Sequence, residues 1–288
     1  MFVNDNKVAS FKAYFSQKLK ANYPDRELAQ LFELTFYYLK GWEKITLRMK
    51  DQEALSESEL LKLNSIVKRL QKNEPIQHIF NQTEFYELPF YVDHNVLVPR
   101  QETEELVDLI IQNTSSKKVL LDIGTGSGCI PIAVGKNLPH LNLLGLDVSK
   151  EALKVAKINA ETNHVKLDLI HQNILTLDHL STIVNETIDV IVSNPPYITE
   201  KEKKQMSENV LAYDPHLALF VSNETPLVFY NKISELAFQK LESGGELYFE
   251  INEYFGKETQ HLVQSKGFKK VELIKDINGK DRIIYAVK

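Results

Sequence analysis

The chain has 288 residues, with 34 lysines and arginines against 39 aspartates and glutamates for a formal charge of −5, and is 43% hydrophobic and 25% charged. That balance is the composition of a soluble globular protein of about two domains; no apolar run reaches membrane-spanning length, so no membrane partner is expected, and the acidic charge argues against stable binding to nucleic-acid backbone. A single cysteine, Cys129, excludes an internal disulfide and every multi-cysteine zinc pattern, and the eight histidines show no HExxH spacing, so no metal site is expected.

The chain opens with MFVNDNKVASFKAYF, which lacks the basic segment and apolar core of a secretory signal, so the expected location is cytoplasmic. From Lys7 to Asn73 apolar residues recur at helical spacing (Phe11, Phe15, Leu19, then Leu28, Leu31, Phe32) with polar residues between them. Asp25 after Pro24 is the expected N-cap of a second helix and Gly41 its C′ residue. Ser56-Glu57-Ser58-Glu59 forms a capping box ahead of Leu60, Leu61, Val67 and Leu70. Phe36, Tyr37, Tyr38 and Trp42 read as interhelix packing, and residues 1–75 as a small helical bundle.

Residues 76–100 form a bridge of different chemistry. Between Glu84 and Val98 the run FYELPFYVDHNVLV predicts a β-hairpin turning at Asp93-His94-Asn95, with packing in that hairpin the expected role of Phe85 and Tyr86 and substrate contact their alternative. A helix from Glu102 to Asn113 then opens residues 101–288. Strands near Lys118 to Ile123, Leu141 to Asp147, Leu167 to His171 and Asp189 to Ser193 alternate with helices near Cys129 to Asn137 and Lys150 to Asn163. This alternation is that of an α/β domain with a parallel sheet. A helix near Pro226 to Leu241 and a strand from Glu246 to Ile251 follow, and VELIKDINGKDRIIYAV closes the chain as a hairpin around Asn278-Gly279.

The segment LLDIGTGSG sets Gly124, Thr125, Gly126, Ser127 and Gly128 between an apolar strand and a helix, where backbone N–H groups face a ligand at close range. Asp147 ends the next strand, placed to accept from a ribose diol, and on spacing alone a nicotinamide-dependent dehydrogenase competes. Asp122 tilts the reading, because an acid there repels a pyrophosphate but attracts an amino-acid ammonium such as that of S-adenosyl-L-methionine; bonding to loop amides is its alternative role. Cys129, His164, His171 and His179 read as chemically idle.

A second motif follows an apolar strand: DVIVSNPPYI delivers Asn194, Pro195, Pro196 and Tyr197 to the carboxyl edge of the sheet. Two prolines remove two donors and leave carbonyls free, Asn194 adds a side-chain carbonyl, and together they can grip one NH2 group beside the flat face of Tyr197. This tetrapeptide resembles that of amino-methyltransferases acting on adenine, cytosine or glutamine. With PIQHIFNQTEFYELPFYVDHNVLVPRQETEELV, DIGTGSGCI and KDINGKDRII, the chain is similar over nearly its whole length to the HemK/PrmC family of peptide chain release factor glutamine N5-methyltransferases.

The resemblance implies a class I S-adenosylmethionine-dependent methyltransferase fold, a Rossmann-like sheet with a C-terminal antiparallel hairpin, preceded by a helical bundle that helps dock the substrate. It implies methylation of the glutamine in the Gly-Gly-Gln motif of class I peptide chain release factors. Gly124 to Gly128, Asp147, Asn173 and Asn194 would then hold the cofactor, and Asn194 to Tyr197 the glutamine. The chain departs from the family pattern at Asn81, Gln101, Asn173 and Asn252. Arg100, Glu102, Thr103 and Glu104 match a family motif that borders the pocket or simply starts a helix. An adenine N6-methyltransferase acting on DNA or RNA and a non-catalytic cofactor-binding protein are the competing readings.

Overall fold

The computed structural model describes residues 3, 5–114, 118–205 and 208–288. They divide into two units, Met1–Asn81 with Ser207–Tyr213, and Gln82–Met206 with Asp214–Lys288.

The first unit is helical: α1 (Val8–Leu19), α2 (Asp25–Lys40), α3 (Lys44–Met49), α4 (Glu57–Leu70) and α5 (Ile76–Phe80). Its core is the apolar stripe foreseen in the sequence, with Phe11, Phe15 and Phe36 fully buried and Phe32 nearly so. Their rings meet at centroid distances of 5.4 Å for Phe15 and Phe32 and 5.0 Å for Phe32 and Phe36. The capping box is present, with Glu59 N donating to Ser56 Oγ at 3.3 Å and Ser56 N to Glu59 Oε2 at 2.8 Å. Gly41 ends α2 at φ 67°, in the left-handed region. One detail differs: Pro24, in extended conformation, occupies the N-cap of α2, and Asp25 is the first helical residue, where its carboxylate still faces the positive end of the helix dipole.

The second unit begins with β1 (Thr83–Phe85) and β2 (Leu88–Phe90), an antiparallel pair. The hairpin is therefore shorter and earlier than the sequence suggested. It turns at Tyr86 and Glu87, both left-handed at φ 51° and 59°, a turn that no glycine or asparagine announces. Beyond Phe90 the strand cannot continue, because the Tyr91 backbone bonds a side chain: its N–H donates to Asn159 Oδ1 at 2.6 Å and its carbonyl accepts from Asn159 Nδ2 at 3.0 Å. Asp93 makes a turn of its own, accepting from Asn95 N at 2.9 Å, but between no strands.

The alternating region follows as α6 (Gln101–Asn113), β3 (Val119–Ile123), α7 (Cys129–Asn137), β4 (Asn142–Asp147), α8 (Lys150–Thr162), β5 (Asp168–His171) and β6 (Ile188–Ser193). After the short β7 (Ile198–Thr199) come α9 (Glu208–Tyr213, grouped with the first unit), α10 (His216–Leu219) and β8 (Phe220–Val221). The chain ends with α11 (Val228–Lys240), β9 (Leu241–Glu250), α12 (Gly256–Ser265), β10 (Lys270–Lys275) and β11 (Asp281–Val287).

Seven strands form one sheet in the order β10-β11-β9-β6-β3-β4-β5. The run from β9 to β5 is parallel, and β11 is antiparallel to both β9 and β10. The period-two pattern sorts the core into two layers. Leu121, Ile123, Ile191, Leu247 and Phe249 pack with α11, while Leu120, Val190, Val192 and Tyr248 pack with α6 and α7. Strand order reverses between β3 and β6, which leaves a crevice at their carboxyl ends.

Candidate active site

A cavity of about 240 Å3 occupies that crevice, lined by Gly124, Thr125, Gly126 and Ser127 after β3, Asp147, Val148 and Ser149 after β4, Gln172 to Leu175 after β5, and Asn194 to Pro196 after β6. The glycine loop is seated by backbone: the Gly124 and Thr125 N–H groups both donate to the Leu146 carbonyl, at 2.7 and 2.9 Å. Gly124 and Gly126 stand at φ 78° and 54°, and a Cβ added to either would meet no atom within 4 Å, so the loop presents bare backbone to open space. Gly128, also left-handed at φ 77°, does not line the cavity; a Cβ there would meet Ile132 Cδ1 at 3.0 Å and Ala156 Cβ at 3.3 Å, so this glycine serves close helix packing.

Asp147 holds the loop's shape. Its Oδ2 accepts from Gly126 N at 2.9 Å and its Oδ1 from Ser149 N at 2.8 Å, leaving each oxygen a second lone pair. Burial raises its carboxyl above the ordinary range, against the pull of those two N–H donors. Asp122 lies beneath the loop rather than in the cavity wall, 1% exposed, and neither of its oxygens makes a hydrogen bond among the described residues. Burial pushes its carboxyl up to about 7; the nearby Thr125 hydroxyl works in the opposite direction and the Asp147 charge in the same one. Asn173 lines the far end, where its Oδ1 accepts from Leu175 N at 3.0 Å and caps a short 3-10 turn. That bond uses one lone pair of its oxygen and leaves both amide hydrogens free to donate.

Of the tetrapeptide, Asn194, Pro195 and Pro196 face the cavity, and the Asn194 amide makes no hydrogen bond among the described residues. Tyr197 does not line it. Its ring packs against the sheet core, its hydroxyl donates to Glu250 Oε1 at 3.3 Å, and burial followed by the Glu250 charge raises its phenol well above the ordinary value. Cys129 lines the cavity as a thiol that burial pushes up to about 12, too high for a nucleophile.

Several lining groups had no sequence signal. Asn95, Val96, Leu97 and Pro99 bring the bridge to the cavity because that segment is not a strand, and Pro215, Leu217 and Ala218 add a wall from the stretch after β7. Thr103 and Arg100, which the sequence left between a pocket role and a helix start, both line the cavity. Arg100 donates to Asp214 Oδ2 at 2.9 Å; Asp214 is raised to about 6 by burial, with Arg100 opposing the shift.

Residues 101–217 match the Methyltransferase small domain, and residues 12–80 match the PrmC N-terminal domain. The release factor glutamine methyltransferase of Flavobacterium psychrophilum is 43% identical over 96% of this chain and 98% of its own length. That of Bacteroides thetaiotaomicron is 43% identical over 95% of this chain and 98% of its own length. The chain belongs to the release factor glutamine methyltransferase family. Like the rest of that family it is a methyltransferase, and its fold is that of class I methyltransferases. A methyltransferase from Pyrococcus furiosus superposes with a TM-score of 0.53 at 20% identity, over 77% of this chain and 96% of that one. The hMettl16 catalytic domain, in complex with the MAT2A 3′UTR hairpin 1, gives 0.56 at 16% identity over 93% of this chain and 92% of that one. Identities this low speak for the fold alone. Among the described residues no helix is long and apolar enough to cross a membrane.

Proposed function

We propose that the chain methylates the glutamine side-chain nitrogen in the Gly-Gly-Gln motif of class I peptide chain release factors, using S-adenosyl-L-methionine, in the cytoplasm and without stable binding to nucleic acid. The observation that carries this reading is that one cavity is lined both by the glycine loop with Asp147 and by Asn194, Pro195 and Pro196. Family relatives named for this reaction support it over nearly the full chain.

The residues present fit the cofactor. Gly124 and Gly126 leave room that any side chain would fill, Asp147 keeps lone pairs for a ribose diol, and Asn173 offers amide hydrogens at the other end. When bound, S-adenosyl-L-methionine supplies an electrophilic methyl carbon on a sulfonium. What remains for the protein is to make a poor nucleophile competent. An amide nitrogen has its lone pair delocalised into the carbonyl; the Asn194 Oδ1 and the Pro195 carbonyl, both able to accept, would hold its two hydrogens and favour a pyramidal nitrogen. We assign the docking of the release factor to the N-terminal helices, residues 1–75.

Radiolabel transfer tests the reading. Labelled S-adenosyl-L-methionine should mark a class I release factor and fail on the same factor carrying Gln→Ala in Gly-Gly-Gln. Label on duplex DNA instead would favour methylation of a base amino group in its place.

A further inference from the structure

Tyr197 is held at both ends by residues that leave the top of β9. Its hydroxyl donates to Glu250 Oε1 at 3.3 Å, and its carbonyl accepts from Asn252 Nδ2 at 3.1 Å. Glu250 is 2% exposed and its other oxygen, Oε2, accepts from Thr103 Oγ1 at 2.6 Å, a contact between residues 147 positions apart. Asn252, 4% exposed, also donates to Glu202 Oε1 at 2.9 Å, and the second Glu202 oxygen accepts from Thr199 N at 2.8 Å. A buried carboxylate is costly unless its lone pairs are engaged, so a network with this many partners fixes the geometry of whatever it holds. What it holds is the exit of the Asn194 to Tyr197 loop.

We propose that Glu250 is a positioning residue: anchored by Thr103, it receives the Tyr197 hydroxyl and fixes the exit of the tetrapeptide, with Asn252 securing the same tyrosine's carbonyl. On this account Tyr197 acts as an anchor through its oxygen, and its ring is not the flat face beside the substrate. The inference rests on the reading of Asn194 and Pro195 as the groups that hold the accepting amide. It also gives Thr103, on the first turn of α6, a function other than starting a helix.

Tyr197→Phe separates the two roles, because it keeps the ring and removes only the hydroxyl; Thr103→Val removes the other donor to Glu250, and Thr103→Ser restores it. In the full chain, hydrogen exchange across residues 193–199 is expected to accelerate about fivefold to tenfold in Tyr197→Phe and Thr103→Val, the effect of one lost hydrogen bond on a local opening. Exchange in the glycine loop and calorimetric affinity for S-adenosylhomocysteine are expected to stay near wild type and Tm to fall by only a few degrees, the cost of one buried hydrogen bond, while kcat for release factor methylation falls about tenfold. Thr103→Ser should recover both exchange and kcat, and the double variant should lose no more than the weaker single one. Wild-type exchange and kcat in Tyr197→Phe would overturn the proposal, and so would a general loss in which cofactor affinity and glycine-loop exchange move with kcat. A wild-type enzyme that leaves the release factor unlabelled would refute the substrate reading alone, since the exchange comparison decides the anchor without any substrate.

Discussion

Ser193 donates its hydroxyl hydrogen to the Ile123 carbonyl at 2.6 Å. Ser193 is the residue before Asn194 and Ile123 the residue before Gly124, so one fully buried bond between β6 and β3 ties the two motifs of the site at their roots. Ser193→Ala should lower stability by about 1 kcal/mol, the net worth of such a bond, and lower kcat more than it lowers affinity for S-adenosylhomocysteine. Thermal unfolding together with calorimetry checks both halves.

Asn194→Ala should reduce kcat by about a hundredfold or more, the usual cost of removing one preorganised polar group from a reacting centre, and should lower cofactor affinity by much less. Its amide has no partner among the described residues, so the fold loses no internal bond. Single-turnover kinetics at saturating cofactor are the test; unchanged turnover would remove Asn194 from the reaction.

Asp147→Ala should weaken S-adenosylhomocysteine binding by about tenfold or more, since it removes the carboxylate proposed to accept from the ribose and also frees Gly126 N and Ser149 N. Calorimetry measures it directly. The variant should remain folded, because Asp147 lies at a strand end and not in a hydrophobic cluster.

Asp122 makes a prediction about pH. Burial lifts its carboxyl from the ordinary 3.8 to about 7, so between those values the folded protein holds a proton that the unfolded chain has released. Stability contributed by this group therefore falls as pH rises from about 4 to about 7, by an amount on the order of a few kcal/mol. Asp122→Asn removes that dependence, so its Tm should gain on wild type steadily from about pH 4 to about pH 8, measured without cofactor. Parallel Tm curves for the two proteins would show that Asp122 titrates normally.

The regular parts of this fold were legible because their signals are local. Short apolar runs alternating with helical segments gave β3, β4 and β6, the glycine loop gave the turn into α7, and Asn278-Gly279 gave the final hairpin, with Gly279 at φ 78°. The bridge misled because its ladder is stopped by a long-range partner: Asn159, 68 positions from Tyr91, takes the backbone bonds that a continuing strand would need. Glycine and proline chemistry likewise brought Asn194, Pro195 and Pro196 to the cavity, but no neighbouring residue says which way a tyrosine turns. The direction of Tyr197 is set by Glu250, 53 positions on, and the value of Thr103 by that same carboxylate.

The most direct measurement of the central claim is peptide mass spectrometry on an unmethylated class I release factor incubated with the enzyme and S-adenosyl-L-methionine. One added methyl group is expected, located on the glutamine of Gly-Gly-Gln, with about a hundredth of that yield when Asn194→Ala replaces the enzyme over the same short time. A methyl group on any other residue, or no methylation by an enzyme that binds S-adenosylhomocysteine, would contradict it.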